Sequence, residues 1–374
     1  MTSTTNPSFI LRAVKDVVLG DIPKPQIEGA HDVIVKVGQT GICGSDVHYW
    51  QRGRIGDFVL NSPIVLGHES SGTVVEIGAA VKNLRVGDKV AIEPGVPCRH
   101  CEYCRSGSYN LCPDTVFAAT PPHNGTLSRF YKTASDYCYP LPEHMTLEDG
   151  ALCEPVAVAV QICKVGNVKA GQKVVVFGCG PIGLLVQSVA KAYGAKVVIG
   201  IDISQSRLEL ASSVLKCADG VFSPPSLPKK PDGTAYSIDE ESEHSAKVAQ
   251  IIKDNFMLGE GPEVVIDATG AQSCIQTGVN LTKKGGTYVQ AGMGRENVVF
   301  PITTACIRDL TIRGSIRYTA GVYPQAVDLV ASGKIQPQKL VTHRFRFEEA
   351  EQAFETVRRG GEDVLKVMIE GVRD

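Results

Sequence analysis

The chain has little net charge, no sustained apolar run and no basic-then-apolar leader at its start. Lys and Arg number 38 against 40 Asp and Glu, a formal net charge of -2 over 374 residues. That balance gives no electrostatic pull toward nucleic acid or an anionic membrane. None of the apolar stretches reaches the ~18 uncharged residues a membrane-spanning helix needs. The opening stretch, MTSTTNPSFILRAVKDVVLG, lacks the basic segment and following apolar run of a secretory leader. The final stretch, IEGVRD, is not a peroxisomal address. A cytoplasmic protein with no membrane or nucleic-acid partner is the expectation, and there disulfides are the weaker reading of cysteine. Twelve cysteines in this length are also too sparse for a disulfide scaffold.

What is present is an ordinary globular composition, 43% hydrophobic and 21% charged, with 38 glycines. The length exceeds what one core usually supports, so two domains are expected. The first third reads as short strands between glycine turns. HDVIVKVGQTG alternates Val33, Val35 and Val37. The pattern changes near residue 165. GQKVVVFGCGPIGLLVQSVAKAYGAKVVIGIDIS reads as strand, glycine turn, helix, strand, and its unalternating apolar strands suit a buried parallel sheet. The proline-rich, polar stretch FSPPSLPKKPDGTAYSIDEESEH is expected to be an exposed insertion. After about residue 300 a strand, two amphipathic helices and a final strand follow, which could complete either domain.

The nucleotide signal is Gly178-x-Gly180-x-x-Gly183, with Pro181 and Ile182 between its last two glycines and Asp202 closing the next strand. A glycine triplet alone is weak. A strand before it, a helix after it and the downstream acid supply the mechanical context of a dinucleotide site. The helix N-terminus would stabilise a pyrophosphate. Asp202 would bind ribose hydroxyls and repel a 2′-phosphate, favouring NAD over NADP. Arg207 complicates this, since an arginine could meet a phosphate, but packing by the adenine end is the favoured reading. A glycine-rich turn in another α/β protein, or an FAD site, are the competing readings.

Two groups of residues have metal-ligating chemistry. Cys43, His68, Glu69 and Glu154 each lie in a glycine- or proline-marked segment, and thiolate, imidazole and carboxylate together suit zinc. Singly each is weak: Cys43 could pack in a core and Glu69 could be a surface acid. Three protein ligands would leave an open position for substrate, where zinc can stabilise an alkoxide as hydride leaves for nicotinamide. Cys98, Cys101, Cys104 and Cys112 form a C-x2-C-x2-C-x7-C run. That spacing suits a tetrahedral all-thiolate zinc with a structural role, because a closed shell leaves no room for substrate. Cys163, Cys179, Cys217, Cys274 and Cys306 read as small buried hydrophobes.

GICGSDVHYW, VLGHESSGTVVEIG, VGDKVAIEPGVPCRHCEYCRSGSYNLC, EPVAVAV, the fingerprint around Gly178 and GSIRY together resemble the zinc-dependent medium-chain dehydrogenases of the polyol branch, over nearly the whole chain. The resemblance implies an α/β protein with a Rossmann nucleotide-binding domain and a β-rich, GroES-like catalytic domain. The expected boundaries are 1–160 and 301–374 for the catalytic domain and 161–300 for the nucleotide domain, with nicotinamide and zinc in the cleft between them. Carried over residue by residue, Cys43, His68 and Glu69 match zinc ligands. Glu154 matches a glutamate that contacts the metal directly or through its water. Ser45 matches the hydroxyl that takes the substrate proton, with His48 as the next relay step. Tyr49, Phe117 and Arg317 match pocket positions. The implied cofactors are NAD and two zinc ions per subunit, one catalytic and one structural.

Resemblance also implies the substrate class, a small polyol oxidised to a ketose. YWQRGRIGDFV, FAATPPHNGTLSRFY and FPITTACIRDLTIRGSIRY are most similar to members of the branch that oxidise xylitol at C2. L-arabinitol 4-dehydrogenases and sorbitol dehydrogenases are the close competitors. An NAD-binding regulator without activity is the non-enzyme alternative, which the presence of Cys43, His68 and Ser45 opposes. A homotetramer is implied, with a homodimer as the other choice.

Overall fold

The structure is a computed structural model in which residues 5–228, 230 and 233–373 are described. It divides into two compact units, Met1–Ala157 with Tyr318–Asp374, and Val158–Arg317.

The first unit is built on a seven-stranded sheet. Strand Asp32–Gly41 lies near its middle, paired antiparallel with Glu69–Ile77, Phe130–Ala134 and Lys366–Glu370. Alternation predicted one wet face for this strand. Instead Ile34 is as fully buried as Val33 and Val35, because the strand is central and covered on both faces. Lys366–Glu370 comes from the far end of the chain, so the C-terminal piece belongs to this sheet. A second apolar cluster holds Phe9, Trp50, Leu66 and Phe354, where helices Gly44–Arg52 and Ala350–Arg359 meet the strand Thr5–Ala13.

The second unit is a six-stranded parallel sheet. Its order is Gly220–Phe222, Val197–Ile201, Lys173–Phe177, Val264–Asp267, Thr287–Gln290, Thr311–Gly314. The strand order reverses beside Lys173–Phe177, which is where doubly wound sheets bind nucleotides. Val174, Val175 and Val176 are all fully buried, as expected of strands whose faces are both covered.

The division differs from the expected 160/161 and 300/301. The first break falls inside the helix Leu147–Val165. The second falls at 317/318, because Thr311–Gly314 registers residue for residue with Thr287–Gln290 and extends the parallel sheet. Within the polar insertion, Ser237 caps the helix Ile238–Asn255 by accepting from the Glu240 backbone. Residues 229, 231 and 232 of that insertion lie outside the described residues. Cys306, expected to be buried, is exposed at the end of helix Ile302–Ile307.

Candidate functional site

The loop after strand Asp32–Gly41 ends at Cys43, which caps helix Gly44–Arg52. Glu69 opens the neighbouring strand Glu69–Ile77, where it registers with Gly41, and His68 immediately precedes it. Adjacent strand ends therefore bring together residues 25 apart in sequence, and the donor atoms of Cys43, His68 and Glu69 all lie within 4.8 Å of one another. Gly41 leaves room for the acid, since a Cβ on it would stand 2.3 Å from Glu69 Oε2 and push that carboxylate aside. The three donors fit a zinc ion in chemistry and in reach. His68 and Glu69 are buried, and Glu69 is not the surface acid it could have been.

Glu154, 4% exposed on helix Leu147–Val165, stands beside the triplet rather than within it. Burial pushes its carboxyl up to about 7; Glu69 adds to the rise, while His68, Lys366 and Tyr318 oppose it. The Tyr318 hydroxyl donates to Glu154 Oε1 at 3.1 Å. Ser45 and His48 are half-buried, three residues apart and so on one side of helix Gly44–Arg52. Burial lowers the His48 pKa, with Arg52 adding to the effect, so the ring is neutral and able to accept a proton near neutral pH. Phe117 puts its ring 5.9 Å from that of His68. Tyr49 is 4% exposed and belongs to the apolar cluster around Trp50.

Three residues in this region were missed from sequence. Asp46 is fully buried: its Oδ1 accepts from Gly67 N at 3.1 Å and faces His68 Nδ1 at 3.3 Å, while Oδ2 accepts from Cys43 N at 3.2 Å. It orients two of the three donors and leaves His68 Nε2 for an ion, the usual way a carboxylate fixes a ligating imidazole. Burial alone would lower the His68 pKa, but the charge and hydrogen bond of Asp46, with Cys43, hold it well above its ordinary value. An acid at the third position of a capped helix was the available signal. Tyr318 closes the GSIRY segment but had no role assigned to it there, and Lys366 carried no signal, being remote in sequence.

The four-cysteine loop brings its sulfurs together. Cys98, Cys101, Cys104 and Cys112 Sγ all lie within 4.8 Å of one another, with 3.4 Å between Cys101 and Cys104 and 3.9 Å between Cys98 and Cys104. Tetrahedral zinc at about 2.3 Å from each sulfur requires sulfurs roughly 3.8 Å apart. The backbone N–H groups of His100 and Cys101 point at Cys98 Sγ, and that of Cys98 at Cys112 Sγ. The loop is anchored at Glu93, fully buried, whose two oxygens accept from Tyr109 at 2.6 Å and Tyr139 at 2.7 Å. Burial raises the Glu93 pKa to about 7 against those hydrogen bonds.

In the second unit, strand Lys173–Phe177 runs into Gly178, whose φ of +98° needs glycine. Gly180 caps helix Pro181–Ala192, with Pro181 at its first position, where a missing N–H costs nothing. Ile182 follows in the first turn. Gly183 packs so closely that a Cβ would sit 1.9 Å from the Gly178 carbonyl oxygen. Asp202, at the end of strand Val197–Ile201, accepts from Cys179 N at 2.6 Å and Ser204 N at 2.9 Å. Arg207 Nε is buried without a hydrogen-bond partner, an orphan donor a bound ligand could satisfy. These features fit a dinucleotide. Arg317, with φ of +50°, ends the second unit.

Comparison with known proteins gives a consistent result. The family model for the alcohol dehydrogenase GroES-like domain matches residues 29–143, and that for zinc-binding dehydrogenases matches residues 181–332. A probable D-xylulose reductase A of Aspergillus clavatus is 49% identical over 381 aligned positions, covering 100% of this chain and 99% of that protein. D-xylulose reductase A of Aspergillus oryzae is 49% identical, over 98% of this chain and 97% of that one. A solved alcohol dehydrogenase of Escherichia coli, complexed with NADH, is 26% identical with a TM-score of 0.84, over 98% of this chain and 100% of that chain. No helix among the described residues is long and apolar enough to cross a membrane.

Proposed function

The chain belongs to the zinc-binding dehydrogenases with a GroES-like domain, and from that premise we propose that it is a D-xylulose reductase: an NAD-linked oxidoreductase interconverting xylitol and D-xylulose at C2. The observation that carries the chemistry is the Cys43–His68–Glu69 donor triplet beside a buried Glu154. Identity of 49% along the whole chain to D-xylulose reductases supports the substrate.

Cys43, His68 and Glu69 would hold one zinc, whose Lewis acidity favours the alkoxide, and the Gly178–Gly183 turn with Asp202 and Arg207 would hold NAD as hydride acceptor. The chain's own work is proton handling and exclusion of water. Ser45 accepts the hydroxyl proton and passes it to His48, the neutral imidazole on the same side of the helix. The C2 hydrogen leaves as hydride, so the balance is xylitol plus NAD+ giving D-xylulose, NADH and one proton. Glu154, with a carboxyl near 7, holds or releases a proton beside the triplet. Phe117 and Tyr49 supply the apolar wall of a polyol pocket. The four-cysteine loop would hold a second, structural zinc.

Asp202 favours NAD over NADP for the reason of charge. Free thiols throughout the chain agree with a cytoplasmic setting. The edge strand Thr311–Gly314 is exposed along its length, with Ile302, Ile307 and Ile316 exposed about it. A sheet-edge strand with exposed isoleucines about it suits pairing with a second copy, which supports a homotetramer or homodimer.

The test is a panel of xylitol, L-arabinitol, D-sorbitol and ribitol with NAD and NADP. Highest kcat/KM on xylitol with NAD is expected. A clear preference for L-arabinitol or D-sorbitol would overturn the substrate, and zinc-free protein of full activity would overturn the chemistry.

A further inference from the structure

Lys366 takes no part in the proton and hydride steps above, yet its ammonium lies against the donor triplet. The residue is 4% exposed. Nζ pairs with Glu69 and donates to the Ile42 carbonyl at 3.1 Å. Its placement is built into the sheet. Ile42 N donates to Val367 O at 3.0 Å, and Met368 registers with Gly41. The missing side chain of Gly41 makes the room, since a Cβ there would stand 2.9 Å from Lys366 Cε. A strand from the end of the chain thus delivers a buried cation to a ligand 297 residues earlier.

Removing a lysine from water is costly, and a partner that merely neutralised Glu69 would be unnecessary beside a dication. Cys43 as thiolate and Glu69 as carboxylate already balance a zinc ion, and Asp46 and Glu154 stand close by. A carboxylate engaged by an ammonium gives less charge to a metal, and the ammonium itself repels the ion at short range in a buried site. We propose that Lys366 is a positioning residue that keeps Glu69 a weak metal ligand, so that the zinc stays electron-poor and Glu69 yields readily to the substrate hydroxyl. This rests on the reading that zinc is held by Cys43, His68 and Glu69.

The role predicts opposite movements of affinity and rate, which a packing residue would not give. The full-length enzyme is compared with Lys366→Met and Lys366→Arg by chelator competition for zinc, with His68→Ala identifying which zinc belongs to the triplet. Lys366→Met is expected to bind that zinc about tenfold more tightly or better, because its metal-free form leaves Glu69 buried and unpaired. Its thermal midpoint falls further metal-free than zinc-loaded, and kcat/KM of the loaded enzyme falls by about tenfold as the metal becomes less acidic. Lys366→Arg, which keeps the charge, binds zinc no more tightly than the wild type. Should Lys366→Met fail to fold, Lys366→Gln, able to donate to the Ile42 carbonyl, carries the same comparison. Unchanged or weakened zinc affinity in the neutral variants, falling together with activity, overturns the proposal. Wild-type enzyme that releases no His68-dependent zinc overturns instead the reading it rests on, and the role with it.

Discussion

Glu93 offers a quantitative check on the buried anchor beneath the four-cysteine loop. Its carboxyl has a pKa near 7 in the folded chain against an ordinary 4.5. The folded form therefore binds this proton more tightly than the unfolded form. Folding stability falls as pH rises from 4.5 toward 7, and the full penalty is present above 7. Between about pH 5 and about pH 8 the displacement amounts to about 2.5 kcal/mol. Glu93→Gln has no such proton. Gln keeps one carbonyl oxygen for Tyr109 or Tyr139 and turns an amide toward the other, a pH-independent loss of about 1 kcal/mol. The stability gap between variant and wild type should accordingly move in the variant's favour by about 2.5 kcal/mol over that pH range.

The chain's single tryptophan, Trp50, lies in an apolar core of the same unit and reports its unfolding. Urea titrations followed by Trp50 fluorescence, with zinc saturating at each pH, give the gap directly. Taking the difference cancels titrations common to both proteins, including Glu154 and the metal ligands. A gap that stays flat with pH, or moves the other way, would refute the argument. It would mean that the two tyrosine hydroxyls hold Glu93 as the anion.

Two further outcomes are expected. Cys101→Ser should remove one of two zinc ions and lower the thermal midpoint by several degrees, with roughly 2 kcal/mol or more lost as the loop comes free. Folded protein should keep activity, and a fully active wild-type enzyme with one zinc per chain in metal analysis would exclude the structural site. Asp202→Ala should raise KM for NAD about tenfold and narrow the preference for NAD over NADP. Unchanged cofactor kinetics would show that Asp202 serves only its two backbone contacts, at Cys179 and Ser204.

The features legible in the sequence share one property: their partners are near in the chain. The four cysteines fall within one loop, so their spacing alone suggested a tetrahedral set. The turn from Gly178 to Gly183 is likewise local, and steric demands at Gly178 and Gly183 leave little choice of residue. Ile34 shows the limit of periodicity, because alternation cannot say whether a strand's second face is covered. The same holds for Thr311–Gly314, a short strand that could have joined either sheet until its register with Thr287–Gln290 was seen. Glu93 sits in AIEPG, where nothing local distinguishes a buried carboxyl from a surface one.

By itself the sequence determined the kinds of chemistry available: soft and hard ligands in two groups, a glycine turn built for phosphate, and an acid at the end of the next strand. These are set by residue type and short-range spacing. Only the tertiary structure decided which groups are wet, which are paired, and which carry displaced pKa values. Asp46 against His68, Tyr318 against Glu154 and Lys366 against Glu69 each bring together groups at least 22 residues apart. Burial then makes such pairings matter, since a charge removed from water must be matched by whatever the fold sets beside it.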